Sequence, residues 1–278
     1  AVEIEDGGLR LIRVSDNGFG MSPDELLLAV ERHATSKIPD DDLVNIATLG
    51  FRGEALPSLG RVARLTISSL ARGQKSAHAL VVSGGDVGEV APASLNGGTE
   101  VEVRDLFFAT PARLKFLKTD RRENAEALDV IRRLALAHPE VGFSFVTEER
   151  EWLRAPEAEP REGRVARIMG RDFMDNAVAV QGGAEDVSIE GFAGLPTFQR
   201  AQGTLQYAVV NGRPVKDKLI AGAIRGAYAD VMPRGRFPAV VLYIRCAPDR
   251  VDVNVHPAKT EVRFRDPGFV RGLIVSAV

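Results

Sequence analysis

Two alternating runs, VEIE and LRLIRV, flank Asp6-Gly7-Gly8, and the second ends in an acid, an amide and two glycines, VSDNGFGM at residues 14–21. Period-two alternation on both sides of a glycine turn predicts an antiparallel hairpin. That commits the chain to a sheet with a strand ending at Asp16. The glycines that follow suit a tight turn, and Asp-Asn-Gly is itself hairpin chemistry. The sequence begins without Met and already inside the alternating pattern, which reads as a piece of a longer chain.

Beyond the turn, Ser22 can cap a helix, Pro23 suits its first position and Glu25 completes a capping box. Leu26, Leu27, Val30 and Ala34 share one helical face, predicting about three turns. GFRGEALPSLGRVARLTISSL then reads as a glycine loop, a short helix and a strand. Residues 76–106 alternate between Gly-rich turns, RRENAEALDVIRRLALAH is an amphipathic helix, and VGFSFVTEE returns to strand. The Pro- and Glu-rich WLRAPEAEPREGR is the best linker candidate. Strands AVAVQGG, VSIEGFAGL, LQYAVVNGR and PAVVLYIRC follow, with a helix at KDKLIAGAIRGAYADVM. The 278 residues therefore predict two α/β domains, residues 1–156 and 165–278, joined by 157–164 without interleaving.

A formal net charge of -2 excludes a global basic field, so nucleic-acid binding would need a local patch. The single cysteine, Cys246, excludes an internal disulfide and a cysteine-built metal site, and fits a reducing compartment. No apolar run approaches the roughly 20 residues that span a membrane, and nothing resembles a signal peptide.

Several stretches can carry chemistry. An ionised Asp16 only accepts hydrogen bonds, which suits the exocyclic amine of adenine and opposes the carbonyl of guanine. Gly18 and Gly20 would let backbone approach a flat base. The twelfth position from Asp16 is Leu27 and not an acid, which argues against a calcium loop. In LGFRGEAL, Gly50 and Gly53 surround Phe51-Arg52 before a helical pattern, a phosphate loop or a glycine turn with a solvated arginine. There is no G-x-x-x-x-G-K-[ST] and no G-x-G-x-x-G, so the P-loop and dinucleotide fingerprints are excluded. Thr35, Ser36 and Lys37 end the capped helix as ligand groups or as a dipole-complementing terminus. Thr99 opens a strand after Gly98, where its hydroxyl meets a ligand or satisfies a turn. In RVDVNVHPAKTEVRF, Asp252, Asn254 and His256 face one way, as metal ligands or as the wet face of an edge strand. Pro257 breaks that strand and leaves Lys259 at a loop tip.

The strings HATSKI, GFRGEAL, DLFFATPAR, VNGRPV and DVNVHPAKTEVRF, in this order, resemble the amino-terminal ATPase region of the MutL family of DNA mismatch repair proteins, from Ala1 to the end. DNA gyrase, the heat-shock chaperone and the sensor histidine kinases share only the wider Bergerat nucleotide fold. The resemblance implies an α/β (α+β sandwich) architecture. A Bergerat-type ATP-binding domain, its mixed or antiparallel sheet covered by helices, would precede a smaller α/β domain of the ribosomal-protein-like type. It implies ATP and Mg2+ as ligands and slow ATP hydrolysis by the intact protein. Asp16 would hold the adenine amine, Gly18 and Gly20 would line the base pocket, and Thr99 would assist through a water. Thr35, Ser36 and Lys37 would contact ribose or phosphate, and Gly50, Phe51, Arg52 and Gly53 would wrap the phosphates. Lys259 would reach the γ-phosphate.

The family's E-N-x-x-D-A run, source of the water-activating Glu and the magnesium-binding Asn, is absent, so the catalytic base is expected upstream of Ala1 and no metal ligand is expected here. The alternative is a nucleotide-gated DNA and protein matchmaker that does not itself hydrolyse ATP. The implied partners are single- or double-stranded DNA bound without sequence preference, a second copy on ATP binding, a mismatch-recognition protein and a downstream helicase or endonuclease. No membrane is expected, and the implied location is the bacterial cytoplasm, with the nucleoid. Arg213, Lys216 and Lys218 of VNGRPVKDK form the expected DNA-binding cluster, with Arg113, Lys115 and Lys118 adding to it.

Overall fold

The computed structural model describes residues 1–32, 53–148, 150–253, 255 and 260–278. Its contacts divide into two units. Among the described residues, the first holds 1–32, 53–131 and Gly142–Arg154; the second holds Arg132–Val141 and Ala155–Val278. The units therefore interleave, unlike the sequential arrangement expected: the chain crosses into the second unit at Arg132, returns at Gly142 and leaves again at Ala155.

The first unit is built on β1 (Val2–Glu5), β2 (Leu11–Asp16), α1 (Pro23–Ala29), α2 (Ala55–Val62), β3 (Arg64–Leu70), β4 (Ala77–Ser83), β5 (Asp86–Val87), β6 (Ala91–Ala93) and β7 (Gly98–Arg104). Helix α3 (Asp120–Ala137) and strands β8 (Phe143–Thr147) and β9 (Glu151–Ala155) follow. The strands form one nine-stranded sheet in the order β5-β4-β3-β7-β2-β1-β8-β9, with β6 also on β4. β1 and β2 pair antiparallel around Asp6–Gly8, the expected hairpin, and β1 also pairs parallel with β8.

Opposed residues of antiparallel neighbours point to the same face. Ile12, Val103, Leu65 and Val82 form one such row across β2, β7, β3 and β4, and Val14, Val101, Ile67 and Leu80 form the next. Leu26 of α1 and Leu56 and Leu59 of α2 pack into the same core. On the opposite face, Arg13 bonds Glu102 of β7 and Glu3 of β1. Hydrogen bonds to Glu102 hold Arg13 above its ordinary pKa. Burial alone would raise Glu102, but Arg104 and Arg13 hold it below its ordinary value.

The capping box forms as expected: Ser22 Oγ accepts from the Glu25 amide and Glu25 Oε2 accepts from the Ser22 amide. Yet α1 ends at Ala29, short of three turns. Only Leu26 is buried, while Leu27 and Leu28 stay exposed. The apolar face thus gains too little burial to extend the helix.

The second unit contains α4 (Arg161–Met169), α5 (Arg171–Asp175), β10 (Ala177–Ala184), β11 (Val187–Gly194), β12 (Gln199–Arg200), β13 (Gln206–Val210) and β14 (Arg213–Val215). It continues with α6 (Lys218–Ala227), β15 (Phe237–Pro238), β16 (Val240–Arg245), β17 (Val251–Asp252), β18 (Arg263–Phe264) and α7 (Pro267–Ala277). Its main sheet runs β10-β11-β16-β13-β14. The β13–β16 pair is parallel, and Ile220, Ile224, Val270 and Ile274 from α6 and α7 complete the core.

The stretch expected to be a linker is ordered structure: β9 reaches Ala155 and α4 starts at Arg161. Arg164 is the reason. Its guanidinium, fully buried, donates to the carbonyls of Ala135, His138, Pro139, Val141 and Pro156 and to Glu159. It thereby satisfies carbonyls left over at the C-terminus of α3. Tyr243 Oη adds a bond to the Leu136 carbonyl.

Candidate functional site

β2 carries Asp16 to the rim of the helix-covered face of the sheet. Asp16 is in register with Thr99 at the start of β7, and Thr99 with Ser69 near the end of β3. The three side chains therefore share one face. This polar row borders the apolar row of Val14, Val101 and Ile67. Val14, though on that core-facing side, is 41% exposed, so apolar surface lies open beside the carboxylate.

The row is internally tied. Ser69 Oγ lies 2.9 Å from Thr99 Oγ1 and 3.0 Å from the Gly98 carbonyl, to which it donates, and it accepts the Met21 amide at 2.7 Å. Ser69 is the residue that sequence reasoning missed. In TISSL, two adjacent serines look alike, and only strand register tells which one faces Thr99.

Asp16 Oδ1 accepts the Gly18 amide at 2.8 Å. Its other oxygen has no hydrogen bond among the described residues, and the side chain is exposed. Backbone approach here depends on glycine at two positions. A Cβ at Gly98, where φ is 74°, would fall 2.0 Å from the Asp16 carbonyl oxygen. One at Gly20, where φ is 69°, would fall 2.0 Å from the Leu70 carbonyl oxygen. The Arg72 amide donates to the Phe19 carbonyl and pins the turn to the end of β3.

The structure thus brings together Asp16, Gly18, Gly20 and Thr99. Gly53, with φ of 58°, immediately precedes Glu54 and α2. Its N-cap residue, Glu54, makes no side-chain cap to that helix. Thr35, Ser36, Lys37, Gly50, Phe51, Arg52 and Lys259 lie outside the described residues, as do Asn254 and His256. Among the described residues no group of three or more acidic, histidine or cysteine side chains could hold a metal. No described helix is long and apolar enough to cross a membrane.

In the second unit, the Asn211-Gly212 turn joins β13 to β14, and Asn211 clamps the Cys246 backbone through both its amide atoms. Lys216 and Lys218 stand exposed at the end of β14 and the start of α6. Asp217 caps that helix, accepting from the amides of Leu219 and Ile220. Arg213, expected beside the lysines on the surface, is instead only 6% exposed. It lies on the strand, not on the turn, and burial pushes its pKa down.

DNA mismatch repair protein MutL of Paramagnetospirillum magneticum is 57% identical over 282 aligned positions, which take in all of this chain. The chain belongs to the MutL family of DNA mismatch repair proteins. MutL of Rhodospirillum rubrum is 56% identical over all of the chain. The chain spans about half the length of these curated relatives, 46% and 45%. Within it, residues 165–278 match the family described as DNA mismatch repair protein, C-terminal domain. This MutL-family chain also resembles the solved Aquifex aeolicus MutL ATPase domain complexed with ADP, at TM-score 0.67 and 28% identity, over 98% of this chain and 87% of that one. The N-terminal domain of a DNA repair protein matches at TM-score 0.83 and 26% identity, over 99% and 86% of the two chains. The fold is thus the α/β Bergerat-type architecture with its second α/β domain.

Proposed function

We propose that this MutL-family chain binds ATP at the end of β2 and serves as the nucleotide-responsive part of a mismatch repair protein. The observation that carries the reading is the register of Asp16 with Thr99 beside exposed apolar surface at Val14. In this reading Asp16 Oδ2 accepts the adenine amine, Thr99 assists through a water, and Gly18 and Gly20 let backbone lie against the base. Gly50, Phe51, Arg52 and Gly53 wrap the phosphates, Thr35, Ser36 and Lys37 contact ribose or phosphate, and Lys259 meets the γ-phosphate. An ammonium and several amides together can offset a triphosphate charge that no single group can. The similar Aquifex aeolicus MutL ATPase domain, solved with ADP, supports the nucleotide class.

ATP hydrolysis belongs to the proposal for the intact protein. Mg2+ is part of that proposal, since it binds through one or two carboxylates together with the nucleotide's phosphates. A second reading, binding without turnover by this chain, is favoured by the absence of an E-N-x-x-D-A run from its sequence. Nucleotide-dependent pairing with a second copy would require only contacts that differ between two states. Lys216 and Lys218 are the proposed contacts to the DNA backbone, and the mismatch-recognition protein and the helicase or endonuclease are proposed partners in the cytoplasm.

Calorimetric titration tests the base pocket. ATP should bind at least tenfold more weakly to Asp16→Asn, corresponding to a charge-assisted bond of about 1.5–3 kcal/mol. Asparagine can still accept the Gly18 amide, so the fold should survive. Unchanged ATP affinity in a folded variant refutes the assignment.

A further inference from the structure

We infer that the second unit carries another phosphate-binding site for DNA, an arginine-lined cleft at the far end of α6 from Lys218. The inference rests on the reading of Lys218 as a DNA contact and extends it to side chains outside the expected cluster. The cleft measures about 450 Å³ and is lined by Arg225, Arg234 and Arg236 together with Tyr228, Met232 and Phe237. All three arginines are exposed. Among the described residues none of them has a carboxylate partner.

A fourth arginine borders the site. Arg200 of β12 is paired in register with Phe237 of β15, and its guanidinium stacks on Phe198, 3.9 Å from the ring centroid. Against these four cations, the segments 196–206 and 225–238 contain one acid, Asp230. A concentration of guanidinium groups without carboxylate partners among the described residues attracts anions to a concave surface, and the guanidinium fork fits phosphate oxygens. Tyr228 contributes shape and apolar wall, since its hydroxyl is committed to the Gly194 carbonyl.

Position selects the ligand. Lys218 and Arg225 are seven residues apart in α6, so they fall on one helical face about 10 Å apart. Gly222 lies between them on that exposed side, and a Cβ there would meet nothing within 4 Å. The cations thus continue from Lys218 along α6 into the cleft, a track for a phosphodiester backbone and not for an isolated anion. Contacts of this kind carry no base information.

The test is the salt dependence of binding to a labelled mixed-sequence duplex oligonucleotide, read by fluorescence anisotropy. Arg225→Gln/Arg234→Gln/Arg236→Gln should weaken binding at least tenfold and lower the slope of log affinity against log salt by about 2–3, at roughly 0.9 per phosphate contact. ATP affinity should not change. If the triple variant is not folded by circular dichroism, Arg234→Gln alone, at an exposed loop, should lower the slope by about 0.9. An unchanged slope overturns the cleft as a DNA site. If Lys218→Glu weakens binding in that case, the lysine contact stands without the cleft; if Lys218→Glu also has no effect, the DNA reading of α6 falls too. Loss of poly-glutamate binding with DNA binding intact would also overturn it, assigning the cleft to an acidic polypeptide.

Discussion

Ser69 and Thr99 hold their hydroxyl oxygens 2.9 Å apart across β3 and β7, and both residues are buried. Ser69 also receives the Met21 amide and binds the Gly98 carbonyl, so one side chain fixes the strand end, the turn and the proposed water-holding threonine. Ser69→Ala leaves the Met21 amide and the Thr99 hydroxyl without this partner. The expected cost is about 1–3 kcal/mol, read as a lower urea midpoint. ATP affinity should fall severalfold in the same variant, whereas Thr99→Ser should retain most of both.

Gly98→Ala should be more damaging than an ordinary glycine replacement. The new Cβ meets a positive φ and the Asp16 carbonyl oxygen at 2.0 Å. Strain and overpacking together should cost about 2–4 kcal/mol. A thermal melt checks this, and a midpoint within a degree of the parent would contradict the backbone approach described above.

Replacing Arg164 should destabilise the second unit. Its guanidinium serves five carbonyls and a carboxylate without solvent exposure. Arg164→Met is expected to cost about 3–5 kcal/mol. Lysine offers one ammonium in place of a fork, so Arg164→Lys should not rescue it. Denaturant melts of the variants give the comparison.

Acid should weaken the same region. The Arg167 hydrogen bond, opposed by burial and reinforced by Arg164, holds Glu159 below its ordinary pKa. A carboxylate with a depressed folded-state pKa stabilises fully above its unfolded value, about 4.3, and that contribution is lost as pH falls through the folded value. Stability should therefore drop between about pH 5 and pH 3, with a shallower fall in Glu159→Gln. Chemical melts across that range would show it.

What the sequence revealed was local. Asp6-Gly7-Gly8 announced the hairpin, Ser22 and Glu25 the start of α1, and the end of β2 the position of Asp16. What it concealed depended on distant partners. Arg164 sits in a polar string that looks solvated, and only the convergence of carbonyls from α3, the 138–141 segment and Pro156 buries it. Arg213 follows a hairpin turn that invites a surface reading, but the strand places it inside. The length of α1 was overread because spacing cannot say which leucines find a partner.

The ownership of residues 132–141 bears on any attempt to take this protein apart. Severing the chain after Arg154 would not yield two self-sufficient halves. The amino-terminal portion would carry away Ala135, His138, Pro139 and Val141, and Arg164 would lose the four carbonyls it binds there. A usable division must keep the last turns of α3 with the carboxy-terminal body.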